Sequence, residues 1–228
     1  MNYALPLWDV PHVAIHQSED KFPVHRIYCV GRNYAEHARE MGADPVKEAP
    51  FFFCKPNDAI VPSGTVIAYP SMTQNFHHEV ELVVALKSGG VNIKAEAALG
   101  HVFGYAVGVD LTRRDLQQAA KDKGRPWDVG KAFDRSAPIG ALRAVSSGGH
   151  IPQAAITISV NGAVKQTSDV KDMIWNVPDI ITYLSGLFEL KAGDLIYTGT
   201  PAGVGPLVKG DRVEARIAGL PPLDFSIG

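Results

Sequence analysis

The chain has 228 residues, 46% of them hydrophobic and 20% charged, with a formal charge of −2. That length suits one domain around one core, and a near-neutral balance without a Lys/Arg run excludes nucleic acid and membrane surfaces as primary partners. Cys29 and Cys54 each sit in an apolar run outside any metal-binding spacing, so a reducing cytoplasm is expected rather than a disulfide framework.

Residues 1–24, rich in Pro, His and mixed polar residues, read as an arm lying on the body. They lack the basic and continuous apolar regions of a signal peptide, and no segment is long and apolar enough to span a membrane. The domain proper is expected over 25–228. β-rich stretches follow at 27–30, 51–54, 65–69, 77–86 and 102–110. A further strand at 156–160 meets Asn161-Gly162 and then 163–166, a two-residue hairpin signal. Strands at 195–198 and 211–217 come next, and an alternating segment at 223–227 is expected at a sheet edge. Helices are few. One at 34–41 stops at Gly42 and Pro45, and one at 112–121 opens on a Thr112–Asp115 capping box. The third, over 178–188, puts Ile180, Leu184, Leu187 and Phe188 on one face. Such irregular alternation argues against a doubly wound parallel sheet and for an α+β, β-rich fold.

Chemistry concentrates in a few places. In His77-His78-Glu79-Val80-Glu81-Leu82 the two glutamates lie two residues apart, on one face of a strand. Paired carboxylates repel, and a hard divalent ion such as Mg²⁺ or Mn²⁺ resolves the conflict. Asp110 ends the second apolar run and would be the third ligand if the two strands are neighbours. An exposed strand face that simply carries Glu is the alternative. His37 and Glu40 are three apart, so on a helix the carboxylate can orient the imidazole as a general base. A solvated surface pair is the alternative there. Lys131, after Gly124-Arg125-Pro126-Trp127-Asp128-Val129-Gly130, is either a desolvated lysine aimed at a charged ligand or an ordinary surface one. Gln117 lies two turns into the helix after Asp110 and reaches back toward the carboxylates, or faces solvent. Gly199 and Thr200 in Thr198-Gly199-Thr200-Pro201 offer a backbone amide and a hydroxyl for a carboxylate, although the segment lacks a phosphate-loop ending.

Together these segments resemble the fumarylacetoacetate hydrolase family. The likeness rests on Gly31-Arg32-Asn33-Tyr34 with His37 and Glu40, Phe53-x-Lys55-Pro56, His77-His78-Glu79-x-Glu81-Leu82, Asp110-x-Thr112, Lys131 and Thr198-Gly199-Thr200-Pro201-x-Gly203-Val204-Gly205. It spans about residues 25–228, and Trp127-Asp128-Val129-Gly130-Lys131-Ala132-Phe133-Asp134 is similar to the branch that cleaves fumarylpyruvate. The resemblance implies a mixed β-roll-like fold, a homodimer, and Mg²⁺ or Mn²⁺ on Glu79, Glu81 and Asp110. It further implies a lid carrying His37, and hydrolysis of a C–C bond in a small 2,4-dioxo acid, in aromatic (gentisate-type) catabolism. In that setting His37, Glu40 and Lys131 would be catalytic, and Arg32, Lys55, Gln117, Gly199 and Thr200 would bind substrate. For the substrate's distal carboxylate, Arg32, Lys55 and Arg113 are the candidate cations. The same site would also suit an acylpyruvase or an oxaloacetate decarboxylase, and a non-catalytic 2-oxo acid binder would need no base.

Overall fold

The computed structural model describes residues 3–40 and 49–228, without the side chains of Ala38 and Glu40. Its centre is an eight-stranded sheet. The main path runs Phe51–Lys55, Ile27–Gly31, Leu195–Tyr197, Val80–Leu86, Val102–Val109, Ala137–Ile139 and Ile60–Pro62, with Arg143–Ala144 also paired to Val102–Val109. Val80–Leu86 is buried at all seven positions, because both faces of the sheet are covered. Leu82, Val84 and Val107 pack into one apolar cluster, and Val83, Ala85 and Ala106 into another. A strand with two covered faces reads as a continuous apolar run, which makes a carboxylate within it conspicuous.

A five-stranded sheet packs on this one, in the order Ala163–Asp169, Ala155–Val160, Arg212–Ile217, Leu223–Ile227, Val66–Ile67. Asn161 and Gly162 have φ of 53° and 79°, the left-handed pair that a tight hairpin turn requires. The mixed, strand-rich architecture expected from the sequence is the one observed. Leu223–Ile227 departs from its expected place at an edge: Arg212–Ile217 pairs with one side and Val66–Ile67 with the other. Val66–Ile67 falls within the β-rich stretch expected at 65–69, but which strand it would pair with is not readable from the sequence. A third sheet, Thr112–Arg113, Phe76–His78 and Gly205–Leu207, sits beside the ends of the central strands.

The helix Val177–Leu187 starts where Asn176 caps the Asp179 amide and Pro178 occupies the first turn. The expected capping box at Thr112 does not form. Thr112 is drawn into a short strand opposite His77, and the helix begins at Arg114 with no side-chain cap. Asp115 turns instead to the Thr73 hydroxyl and the Gln74 amide. In the N-terminal arm, His12–Ala14 and Lys21–Pro23 form a small antiparallel ribbon, and Val13 and Phe22 are buried against the body. Among the described residues no helix is long and apolar enough to cross a membrane.

Candidate active site

Glu79 lies at the corner where the chain leaves Phe76–His78 and enters Val80–Leu86. Its carbonyl accepts the Asp110 amide at 2.8 Å, and Glu81 pairs opposite Gly108. The strand pairing thus places Asp110 directly across from Glu79, with Glu81 two residues further along the same face. One carboxylate oxygen from each of the three lies within 4.8 Å of the others, and all three residues are buried. The exposed-face alternative is thereby removed.

Cations surround this trio. Lys131 Nζ donates to Glu79 Oε2 at 2.9 Å, to Asp110 Oδ2 at 2.7 Å and to the Thr112 hydroxyl at 2.6 Å. Arg114 Nη2 donates to Glu79 Oε1, and its Nη1 donates to Gln117 Oε1 at 2.5 Å. Lys55 Nζ stands 2.8 Å from Asp110 Oδ1 but is not aligned for a hydrogen bond, leaving that buried oxygen with a lone pair unclaimed. Glu81 Oε2 accepts the Gly199 amide at 2.7 Å. Gly199 is at φ +95°, and a Cβ there would come within 2.7 Å of the Asn33 Cβ. Asn33 holds this turn by donating to the carbonyls of Thr198 and Trp175 at 2.7 and 2.9 Å.

The three acids are not equivalent electrostatically. Burial pushes Glu79 up, but the adjacent Lys131 and Arg114 charges outweigh it and hold its carboxyl well below the usual range. For Glu81, burial acts together with the Asp110 and Glu79 charges and drives the carboxyl well above its ordinary value, which the Gly199 amide only moderates. Burial pulls Lys131 down, yet Asp110 and Glu79 raise it overall, so it stays protonated. One carboxylate too many for its neighbours, all-oxygen donors and an unclaimed lone pair together fit a hard divalent cation.

These groups floor a cleft. His37, buried on the short helix Ala35–Glu40, lines it together with Arg32, Gln117, Lys131 and Thr200. Phe51, Phe53 and Trp127 form an apolar wall, with Phe51 edge-on to Trp127 at 5.3 Å. The Glu40 side chain and residues 41–48, including the stop at Gly42 and Pro45, lie outside the described residues.

Three expected ligand contacts fall elsewhere. Lys55 is buried behind Asp110, bonded to the Leu111 and Lys131 carbonyls and absent from the cleft wall, so it balances a carboxylate instead of meeting a ligand. The Gly199 amide is taken by Glu81, which leaves Thr200 as the residue of that turn that lines the cleft. Arg113 also turns away, its guanidinium 4.3 Å above the Phe133 ring. Sequence reasoning missed Arg114 and Lys121, which line the cleft with Gln117 and Gln118. Their spacing of three, four and seven residues is one stripe of a helix, a signal that was readable once 114–122 was taken as helical.

Residues 26–227 match the family described as Fumarylacetoacetate (FAA) hydrolase C-terminal. The chain belongs to the fumarylacetoacetate hydrolase family. It is similar to the crystal structure of fumarylpyruvate hydrolase from Pseudomonas aeruginosa in complex with Mn²⁺ and pyruvate, with 52% identity, a TM-score of 0.98 and 99% of each chain covered. A fumarylpyruvate hydrolase from Ralstonia sp is 43% identical over 81% of this chain and 96% of its own length. The mitochondrial oxaloacetate tautomerase of Homo sapiens is 40% identical over 88% of this chain and 90% of its own.

Proposed function

We propose that this member of the family is a divalent-metal-dependent hydrolase that cleaves fumarylpyruvate to fumarate and pyruvate, in gentisate-type aromatic catabolism. The observation that carries the reading is the buried Glu79–Glu81–Asp110 trio at the floor of a cleft, in a chain similar over 99% of its length to the Pseudomonas enzyme. Glu79, Glu81 and Asp110 would hold Mg²⁺ or Mn²⁺. When bound, the ion supplies a Lewis acid at the 2-oxo oxygen, where enolate charge grows in the transition state.

The chain's own groups do the remaining work. His37, oriented by Glu40, takes a proton from water, and the hydroxide adds to C4 of the substrate. The C3–C4 bond then breaks with its electrons moving toward C3. The proton held by His37 returns to C3, so fumarate and pyruvate leave with atoms balanced. Lys131, kept cationic by Asp110 and Glu79, neutralises the enolate-type oxygen. Thr200 donates its hydroxyl to the pyruvyl carboxylate, and Gln117 adds a polar contact. The His37 segment closes as a lid and excludes bulk water when substrate is present.

Charge balance supports a doubly anionic substrate. Glu79 and Asp110 are ion-paired with Lys55, Lys131 and Arg114, none of which reaches Glu81. With Glu81 ionised the six formal charges cancel, so a divalent ion leaves two positive charges over. Fumarylpyruvate carries two carboxylates, and Arg32 and Lys121 line the same cleft for the distal one. The two cysteines, both free thiols, suit a reducing cytoplasm. A homodimer is also proposed: Leu5, Leu7 and Trp8 are exposed on the N-terminal segment, and a second copy would cover them.

The test is the loss of absorbance of fumarylpyruvate, acetylpyruvate and other 2,4-dioxo acids with Mg²⁺, with Mn²⁺ and with a strong chelator. Turnover that survives the chelator undiminished, or no cleavage of any 2,4-dioxo acid, overturns the reading. The likeness to an oxaloacetate tautomerase favours one second reading, oxaloacetate chemistry through the same enolate without an attacking water. The ratio of the rates on fumarylpyruvate and oxaloacetate separates the two.

A further inference from the structure

Gln166 belongs to the five-stranded sheet, not to the sheet that carries the carboxylates, and it is the one buried residue of the strand Ala163–Asp169. A register shift in the hairpin, where Ile158 faces Gln166 and Ser159 faces Val164, leaves Lys165 unpaired. Such a bulge re-aims the neighbouring side chain. The Gln166 amide reaches across to the site and meets four groups. Its Oε1 accepts the Val80 amide at 3.1 Å and lies 3.0 Å from His78 Nδ1. Its Nε2 donates to the Pro201 carbonyl at 2.7 Å and to the Thr200 hydroxyl oxygen at 2.8 Å.

Two of these partners fix which end of the amide is which. A backbone N–H only donates and a backbone carbonyl only accepts, so oxygen must face Val80 and nitrogen must face Pro201. The nitrogen's second hydrogen then falls on Thr200 Oγ1, which has to accept it. A hydroxyl that is accepting from one side must turn its own hydrogen elsewhere, and Thr200 lines the cleft.

We propose that Gln166 is a positioning residue that sets the polarity of the Thr200 hydroxyl, presenting it to the cleft as a donor for the carboxylate of a 2-oxo acid. The role rests on the reading of Thr200 as the carboxylate contact. It selects an anionic end group over a donor such as an amide nitrogen. Glu at 166 would accept from Val80 as before but would turn the Thr200 hydrogen toward itself. Met would fill the same space and leave the hydroxyl undirected.

The experiment measures kcat and KM on fumarylpyruvate, and pyruvate affinity by calorimetry with Mn²⁺, for Gln166→Glu, Gln166→Met, Thr200→Val, Thr200→Ser and the Gln166→Met/Thr200→Val double variant. Thermal midpoints identify any variant that does not fold. Thr200→Val should raise KM and weaken pyruvate about tenfold, the scale of one hydrogen bond to a charged group, with Thr200→Ser close to the parent. Gln166→Glu and Gln166→Met should do the same with kcat within about threefold, and the double variant should be no worse than either single one. Additive losses, or Gln166 variants that lower kcat and stability while KM and pyruvate affinity hold, overturn the role of Gln166. Unchanged KM and affinity in Thr200→Val overturn the Thr200 contact itself, a separate outcome.

Discussion

Two buried acid sites in this molecule have opposite characters. Asp194 is fully buried, yet each of its oxygens is answered. Arg26 reaches Oδ2 at 2.9 Å and Oδ1 at 3.2 Å, His25 Nδ1 lies 2.7 Å from Oδ1, and the Lys191 amide donates at 2.8 Å. Glu79, Glu81 and Asp110 are also buried, but they crowd one another, and burial with the Asp110 and Glu79 charges pushes the Glu81 carboxyl well above its ordinary value. Burial of a carboxylate is therefore a poor mark of function by itself. Convergence of several on one point, beyond what nearby donors satisfy, is the better one.

The comparison breaks most sharply at Glu81. Glu81→Gln should lose turnover by on the order of a thousandfold, about 4 kcal/mol, with the calorimetric Mn²⁺ signal gone. The chelated protein should show the reverse in stability. Folded Glu81 keeps a proton that the unfolded chain releases near 4.5, so wild-type stability falls as pH rises above that value toward the folded pKa. Glu79, with its folded pKa lowered, contributes stability that is fully present above 4.5 and is lost only as pH falls below it, so it does not oppose that slope. Thermal midpoints of chelated Glu81→Gln should lack the decline seen in the wild type, and identical pH profiles would contradict the account of the trio.

His37→Ala comes next. A general base contributes between about a hundredfold and ten-thousandfold, so turnover should fall in that range while Mn²⁺ affinity stays within about twofold of the parent. Collapse of metal affinity would make His37 a ligand rather than a base. Asp194→Ala probes the other side of the comparison. Its cation partners Arg26 and His25 are part-exposed, so losing the carboxylate costs about 2 kcal/mol through the hydrogen bonds it accepts, readable as a lower urea midpoint, while kcat per folded molecule should not change. The smallest effect is expected at the cleft rim. Arg32→Ala should reduce kcat/KM for fumarylpyruvate about tenfold more than for acetylpyruvate, which lacks the distal carboxylate. Equal losses would move that role to Lys121.

Much of this was legible in the chain because it is local. The spacing of Glu79 and Glu81, the apolar runs around them, the Asn161-Gly162 turn and the helix after Asn176 all express short-range periodicity or turn geometry. The failures were also instructive. Thr112 looked like a helix cap because Asp115 follows three residues later, but pairing with His77 and the demand of Lys131 for an acceptor claimed it first. Lys55 stands as a ligand contact through the Phe53-x-Lys55-Pro56 resemblance and as a candidate cation for the distal carboxylate, whereas the fold sets it against the buried Asp110.

The sequence by itself determined the residue types of the site and two of the strands that carry them, since alternation and turn chemistry act over a few neighbours. Only the tertiary structure decided which cation meets which carboxylate. It brought Lys55, Arg114 and Lys131 from three separate segments against the acids, and Gln166 from another sheet against Thr200. Those pairings come from packing between elements distant in the chain, and the strength of a charge interaction depends on burial and separation that no local pattern encodes.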